Sequence, residues 1–172
     1  FQITWARYFF TVFWTLPLMF FFFRKKLKWS ENPKLQIIRG MTLLSANVCF
    51  FYSISVISMA KALTLAFIAP LVTTALSPII LGEKVGFKRW SAVIVGFLGS
   101  LVVIRPGLIE FNLATISALG TGFFYGVYLI ITRKLHSVDN PLLTLLITGV
   151  VGAIISSLFV PIIWINLSQS QW

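Results

Sequence analysis

The chain has 172 residues, of which 58% are hydrophobic, 16% are aromatic and only 10% are charged, and its mean hydropathy is +0.95. Soluble domains are about one quarter charged, so this composition excludes a water-soluble globular domain and indicates an integral membrane protein. The net charge of +10 would suggest nucleic-acid binding in a soluble protein. Here the basic residues flank apolar runs, which is typical of membrane topology signals, so no nucleic-acid partner is expected.

The residue types that build metal and catalytic sites are scarce. Cys49 is the single cysteine and His136 is the single histidine, so no internal disulfide and no multi-cysteine metal site can form. The four acids, which are expected in loops or at helix ends, are Glu31, Glu83, Glu110 and Asp139. We therefore expect no catalytic residues, no metal, no cofactor and no carboxylate for proton relay within the membrane. Glu83 is expected to form an ion pair with a neighbouring basic residue.

Six uncharged runs predict six membrane-spanning helices. In chain order they cover residues 8–23, 40–60, 62–82, 90–104, 111–132 and 140–172. A span needs roughly 20 apolar residues, so the first helix is expected to begin near Ile3 and the fourth to extend into its charged flanks. Asn140 or Asp139 is expected to cap the sixth helix, with Pro141 as its first residue. The predicted fold class is an all-α polytopic helical bundle.

Basic residues divide unequally between alternate loops. One side holds Arg24, Lys25, Lys26, Lys28, Lys34, Arg39, Lys84, Lys88, Arg89, Arg133 and Lys134, and the other holds Lys61 and Arg105. By the positive-inside rule the richer side is cytoplasmic, which places the N-terminus outside. The chain opens at "FQITWARYFF", almost within a span and without Met. We interpret it as a fragment that lacks an earlier helix, and expect further helices after its polar end.

The third predicted helix carries the strongest candidate for a binding site. Its uncharged run, residues 62–81, contains Pro70 and Pro78, each of which removes a backbone donor. The residues that share one helical face, at i, i+3, i+4 and i+7, are Pro70, Thr73, Thr74 and Ser77. An interrupted helix near the bilayer midplane is typical of a transporter's binding site. The alternative is a simple kink, with the hydroxyls bonded to backbone carbonyls.

The fifth predicted helix offers a second polar face. The residues on it are Thr121, Tyr125, Tyr128 and Thr132. A buried phenol needs a polar partner or a wet cavity, and Tyr125, nearer the helix centre, is the better cavity candidate. Tyr128 is interpreted either as a cavity residue or as part of an interfacial belt. Gly122 and Gly126 form a GxxxG pair, which favours close helix packing.

Two further polar residues fall within predicted spans. Asn47 must face protein or water rather than lipid, and it is either an interhelical hydrogen-bonding group or a substrate contact. Arg7 is the only charge expected inside a span. It would either attract a carboxylate or phosphate of a substrate, or lie one to two turns from the outer end and snorkel to the interface.

Several short motifs follow one another along almost the whole chain. They are Arg7–Tyr8, Arg39–Gly40, Pro70, Gly82–Glu83, Gly96, Gly99, Pro106–Gly107 and the stretch "ISALGTGFFYGVYLIITRKL". Their order resembles the EamA-type permeases of the drug/metabolite transporter superfamily. The resemblance implies ten helices in two inverted five-helix repeats. Residues 1–110 would be the remaining four helices of the first repeat, and residues 111–172 the first two of the second.

The resemblance also implies a function and a location. The protein would move an amino acid, S-adenosylmethionine or a drug-like compound by alternating access, inward or outward, across the bacterial inner membrane. Its partners would be the small-molecule substrate and the lipid bilayer, with a homodimer left open. The central cavity would be lined by the helices that hold Asn47, the Pro70–Ser77 face and Tyr125.

Two functions other than transport are also considered. The first is a membrane-embedded lipid-modifying enzyme, for which His136 and Asp139 are the remote candidates. The second is a non-transporting helical scaffold, which fits the Gly122–Gly126 pair but does not account for the polar faces.

Overall fold

The computed structural model describes residues 2–23, 30–104, 112–136 and 140–163, which form seven α-helices with no strand among them. The helices are α1 (Gln2–Phe23), α2 (Pro33–Val56), α3 (Met59–Ala66), α4 (Ala69–Leu81), α5 (Phe87–Ile104), α6 (Leu113–His136) and α7 (Pro141–Ile163). The all-α fold class is therefore confirmed.

Four segments of the described chain are long and apolar enough to cross a membrane. They are Pro33–Val56, Met59–Leu81, Leu113–His136 and Pro141–Pro161, and they correspond to the second, third, fifth and sixth predicted spans. The chain is therefore a multi-pass membrane protein. Helices α1 and α5 fall outside this set, and α5 includes the charged residues Lys88 and Arg89 within its 18 residues. That α1 and α5 also cross the membrane stays a prediction.

The helix ends follow local capping signals. Asn140 precedes α7, and its Oδ1 accepts a hydrogen bond from Leu142 N at 2.9 Å, so the predicted cap is confirmed. Asn112 does the same for α6, accepting from Thr115 N at 3.0 Å. These amide oxygens satisfy backbone donors that have no partner within the first turn. At the end of α4, Gly82 adopts φ 69°, the left-handed conformation that glycine tolerates best.

The third predicted span is interrupted close to its centre. Phe67 and Ile68 form a turn between α3 and α4, within the continuous apolar segment Met59–Leu81. Pro70 lies in the first turn of α4, where its missing N–H and fixed φ are tolerated. Pro78 lies inside α4 without ending it. The interruption expected from the prolines is thus present, and it falls just before Pro70.

The two glycines of α6 pack against this interruption. A Cβ at Gly122 would lie 2.7 Å from Ala66 O, and one at Gly126 would lie 2.8 Å from Ala69 O. Contacts this close leave no room for a side chain. The Thr73 hydroxyl donates to Gly126 O at 3.1 Å, which ties the two backbones together. The packing role predicted for this glycine pair is confirmed.

Helix α2 lies at the centre of the bundle, against α6 and α7, while α1 packs on α7, α4 packs on α6, and α5 lies beside α3 and α4. At one end of the bundle Gln36 donates to Thr144 Oγ1 at 3.1 Å. At the ends of α4 and α6, Arg133 donates to Glu83 at 2.9 Å. These contacts join neighbouring helices at the ends that bear the predicted basic-rich loops, in agreement with the alternation of loops read from the sequence.

The glycine contacts predict a difference between two matched substitutions. Gly122→Ala should destabilise the protein by about 1–3 kcal/mol, because the new methyl group overlaps the α3–α4 turn. Gly99→Ala on α5 is the control, since a Cβ there meets nothing within 4 Å. It should leave stability unchanged or raise it through helix propensity. Thermal unfolding in detergent, followed by circular dichroism, measures both. Equal unfolding temperatures would contradict the close packing.

Candidate functional site

Arg7 on α1 and Asn47 on α2 are joined by a side-chain hydrogen bond. Arg7 Nη1 donates to Asn47 Oδ1 at 2.8 Å, while Asn47 Nδ2 donates to Tyr8 Oη at 2.9 Å and to Leu43 O at 2.8 Å. Asn47 is buried and Arg7 is exposed. Both polar atoms of the amide are therefore occupied by protein groups. Arg7 and Asn47, which the sequence predicted as two separate polar residues, thus form one polar contact.

The position of this contact along the bundle is set by the packing of α1 on α7. Tyr8 packs on Gly152, where a Cβ would lie 2.6 Å from its Cε1, and Gly152 is the twelfth of the 23 residues of α7. One turn further along α1, Val12 lies 2.9 Å from the Cβ position at Gly149. These contacts fix the register of α1 and place Arg7 level with the middle of α7. Arg7 is also the sixth residue of α1, one to two turns from the start of that helix, so its depth in the membrane stays a prediction.

The polar face predicted on α4 divides between two neighbours. Thr73 lies against α6 and donates to Ala69 O at 2.9 Å as well as to Gly126 O. Thr74 and Ser77 are buried, and Ser77 Oγ has no hydrogen-bond partner among the described residues.

Pro70 is exposed and lies on the other side, in an open apolar groove between α4 and α5. The groove has a volume of about 420 Å³ and is lined by Phe67, Pro70, Ala92, Val93, Gly96 and Phe97. The four residues on α4 therefore do not converge on one cavity within the described chain.

Tyr125 and Tyr128 form a stack on α6. Their ring centroids are 5.7 Å apart and their planes are inclined by 23°. Arg39 Cζ lies 5.2 Å from the centroid of the Tyr128 ring, a cation–π distance. Tyr125 remains 43% exposed. The result is a layered arrangement in which the guanidinium covers Tyr128 and Tyr125 offers the accessible ring.

Arg39 is a buried residue that the sequence analysis assigned to a loop. It is 2% exposed and donates from Nη2 to Thr144 O at 2.8 Å and to Thr148 Oγ1. Nη1 donates to Thr132 Oγ1 at 3.3 Å. The expectation that Arg7 is the only charge within a span was therefore wrong. The usable signal was Pro33, because a proline at a helix start places Arg39 in the second turn of α2.

Glu83 forms the ion pair that its neighbours predicted, and a second one that they did not. Its carboxylate lies 3.9 Å from Arg89 and 2.9 Å from Arg133. The side chains of Glu83 and Arg133 are 41% and 44% exposed. The Arg133 contact joins the ends of α4 and α6, which are 50 residues apart in sequence, and no local spacing pattern reveals it.

The described residues contain no group of three His, Cys, Asp or Glu side chains that could hold a metal ion. His136 is exposed at the end of α6. Glu110 and Asp139 lie outside the described residues. Within the described part of the chain, the polar features are thus hydrogen-bonding and aromatic groups between helices.

These features define the class of the protein as a polytopic α-helical membrane protein with polar contacts and an interrupted span at mid-depth. Residues 1–105 match the EamA-like transporter family, and the chain belongs to that family. The resemblance drawn from the sequence motifs is therefore confirmed. The family match ends near the end of α5 and leaves α6 and α7 outside it.

Curated relatives extend the similarity to nearly the whole chain. The chain is 26% identical over 171 residues to an S-adenosylmethionine uptake transporter of Rickettsia prowazekii, covering 99% of this chain and 58% of that protein. It is 38% identical over 81 residues to a riboflavin transporter of Vibrio cholerae, covering 47% of this chain and 27% of that protein. A pseudopaline exporter of Pseudomonas aeruginosa is 29% identical over 76 residues, 44% of this chain and 27% of that protein.

The chain spans about 58% of the length of the Rickettsia relative that it matches from end to end. No solved structure matches it.

The contrast between a buried and an exposed arginine gives a second prediction. Arg39→Leu should lower stability by about 1–3 kcal/mol, because Thr144 O and the Thr148 hydroxyl lose a charged donor while remaining buried. Arg133→Leu is the matched control and should cost less than about 1 kcal/mol, since its ion pair with Glu83 is exposed. Thermal unfolding of the full-length protein in detergent compares the two. A larger loss for Arg133 would contradict the assignment of Arg39 to the bundle interior.

Proposed function

We propose that the protein containing this chain transports a small metabolite across a membrane by alternating access. The observation that carries this proposal is the interruption of the third span at Phe67–Ile68, near mid-depth. Both residues keep right-handed helical dihedrals, so the interruption is a local break in the helical hydrogen bonds, and the carbonyls that it frees must be enclosed by protein or line a cavity. Discontinuous helices of this kind build the substrate sites of secondary transporters. Membership of the EamA-like transporter family supports the same function.

The substrate site would be formed around α2, α4 and α6. Tyr125 is the residue we assign to direct contact, because its ring is accessible and supported from behind by Tyr128. Asn47 is a positioning residue, since its amide is already committed to Arg7 and Tyr8. Thr73, with the buried residues Thr74 and Ser77, would stabilise the interrupted segment from the α4 side. Pro70 has no N–H, so it would leave a carbonyl of the preceding turn without its helical hydrogen bond. Its ring would face the groove.

The relatives indicate the class of substrate. Two of them are named for S-adenosylmethionine and for riboflavin, and both molecules carry a planar heteroaromatic ring. The accessible face of Tyr125 suits such a ring, because aromatic rings stack favourably with an offset. The names include an uptake transporter and an exporter, so the direction of flux is left open in the proposal.

The proposed architecture is two inverted five-helix repeats. Residues 1–110 would complete the first repeat and residues 111–172 would begin the second. An odd number of spans in each repeat inverts the second copy, which agrees with the alternation of basic loops. The proposed location is the bacterial inner membrane, with the basic-rich end in the cytoplasm.

The test is transport in proteoliposomes by the full-length protein, with labelled S-adenosylmethionine, riboflavin and an amino-acid mixture. Saturable flux of at least one compound is expected. Tyr125→Ala should raise the KM for a ring-bearing substrate about twofold to tenfold, since aromatic stacking contributes about 0.5–1.5 kcal/mol. The matched control is Phe159→Ala, because Phe159 is similarly exposed, at 47%, but lies on α7, outside the three helices assigned to the site.

Pro70→Ala is tested in the same assay. Restoring a backbone donor at the interruption should slow maximal flux if the break lines the pathway. Normal flux with Pro70→Ala would reduce this proline to a packing role. Absence of saturable flux for every compound in the full-length protein would contradict transport of this substrate class.

A further inference from the structure

We propose that Arg7 binds the carboxylate of the transported substrate at mid-depth in the membrane. The inference rests on the proposed transport function and adds a second recognition element to it. It would restrict the substrate class to metabolites that carry a carboxylate, such as amino acids and their derivatives.

The hydrogen bonds around Arg7 fix its guanidinium but do not saturate it. A guanidinium has five N–H donors, and the described partner is Asn47 Oδ1, bonded to Nη1 at 2.8 Å. Asn47 cannot turn its amide round, because Nδ2 donates to Tyr8 Oη and Leu43 O. The amide oxygen is therefore held towards Arg7. The remaining donors lie on an exposed side chain.

The charge of Arg7 is not neutralised by the described residues. Asn47 is neutral, and the carboxylate of Glu83 pairs with Arg133 and Arg89. Glu31 precedes α2, so it lies about 20 Å along the helix axis from the level of Asn47. Each described carboxylate is therefore at an end of the bundle, whereas Arg7 is level with the centre of α7.

Lipid is an unfavourable environment for an arginine at this depth. A central arginine costs about 2.5–3.5 kcal/mol on insertion scales, and such residues almost always face a bundle interior or a water-filled cavity. The register set by Tyr8 on Gly152 prevents Arg7 from sliding to the interface. The exposed side of Arg7 is therefore assigned to the transport pathway.

A carboxylate is the anion that fits this site. The planar fork of arginine binds a carboxylate through two parallel hydrogen bonds. With a neutral amide as its fixed partner, Arg7 contributes a single positive charge, which one carboxylate neutralises. A phosphate dianion would bring a second negative charge, for which the described residues around Arg7 offer no partner.

The experiment compares S-adenosylmethionine with its decarboxylated form, which keeps the adenine ring and the sulfonium. The full-length protein is tested in proteoliposomes as wild type, Arg7→Gln and the exposed-loop control Lys84→Gln. The wild type and Lys84→Gln should prefer the carboxylated compound by about tenfold or more, the range of a charge-assisted hydrogen bond. Arg7→Gln should remove that preference by weakening uptake of the carboxylated compound alone.

Asn47→Asp provides a second test if Arg7→Gln does not fold. It has the same size as asparagine and places a carboxylate beside Arg7, with the Tyr8 hydroxyl turning to donate to the oxygen that replaces Nδ2. That carboxylate should compete with the substrate's and abolish the preference, and a retained preference would overturn the proposal.

Other results separate this inference from the transport function. Equal losses for both compounds in Arg7→Gln would assign Arg7 to structure and overturn carboxylate binding. The protein could instead transport riboflavin or the decarboxylated compound but not S-adenosylmethionine, with flux unaffected by Arg7→Gln. That result would also overturn carboxylate binding while leaving the transport function intact. Absence of flux for all compounds would overturn both.

Discussion

The close approach of α6 to the interrupted third span is the contact on which the rest of the bundle depends. Gly122 and Gly126 present bare backbone to Ala66 O and Ala69 O, so the turn between α3 and α4 is covered by protein at a depth where water is scarce. Backbone carbonyls released by a break must find partners or close cover in a membrane. Without glycine at these two positions, α4 would be displaced from α6.

The polar side chains, like the backbone carbonyls, must find hydrogen-bond partners within the protein. Along α1, the hydroxyl of Thr15 donates to Thr11 O at 2.7 Å, and that of Thr11 donates to Arg7 O at 2.7 Å. On α7, Thr148 donates to Thr144 O at 2.8 Å. These local bonds remove most hydroxyls from consideration as ligand groups. The side chains that bond between helices, above all Arg7 and Arg39, therefore determine most of the specific pairing of helices in the bundle.

The sequence predicted the elements well because span length and loop charge are local properties. Composition and hydrophobic runs were enough for the all-α fold and for the four described spans that are long enough to cross. The GxxxG pair and the interruption near Pro70 also followed from single short motifs. The Asn140 cap could be predicted for the same reason.

The pairings could not be predicted, because they depend on helix register. Arg39 was assigned to a loop, because the sequence does not show whether a charged residue beside an apolar run lies at the end of a span or inside the bundle. The contact of Arg7 with Asn47 depends on how far α1 slides along α7, and that distance is set by Tyr8 against Gly152. The four residues on α4 do lie on one helix, as predicted. They face different neighbours, however, because Thr73 lies against α6 and Pro70 faces the groove beside α5.

The two polar links at the basic-rich end differ in what it costs to break them. The Glu83–Arg133 pair is exposed, and such pairs contribute less than about 1 kcal/mol, so at that end α4 is held to α6 mainly by the apolar cluster around Ile130 and Leu135. Arg39 bonds α2 to α6 and α7 from a buried position, where each group left unpaired costs about 1–3 kcal/mol. Buried polar bonds therefore join α2, α6 and α7 to one another, whereas α3–α4 is joined to α6 mainly by close packing. The interruption at Phe67–Ile68 thus lies in the element that is held by packing and not by a buried charge.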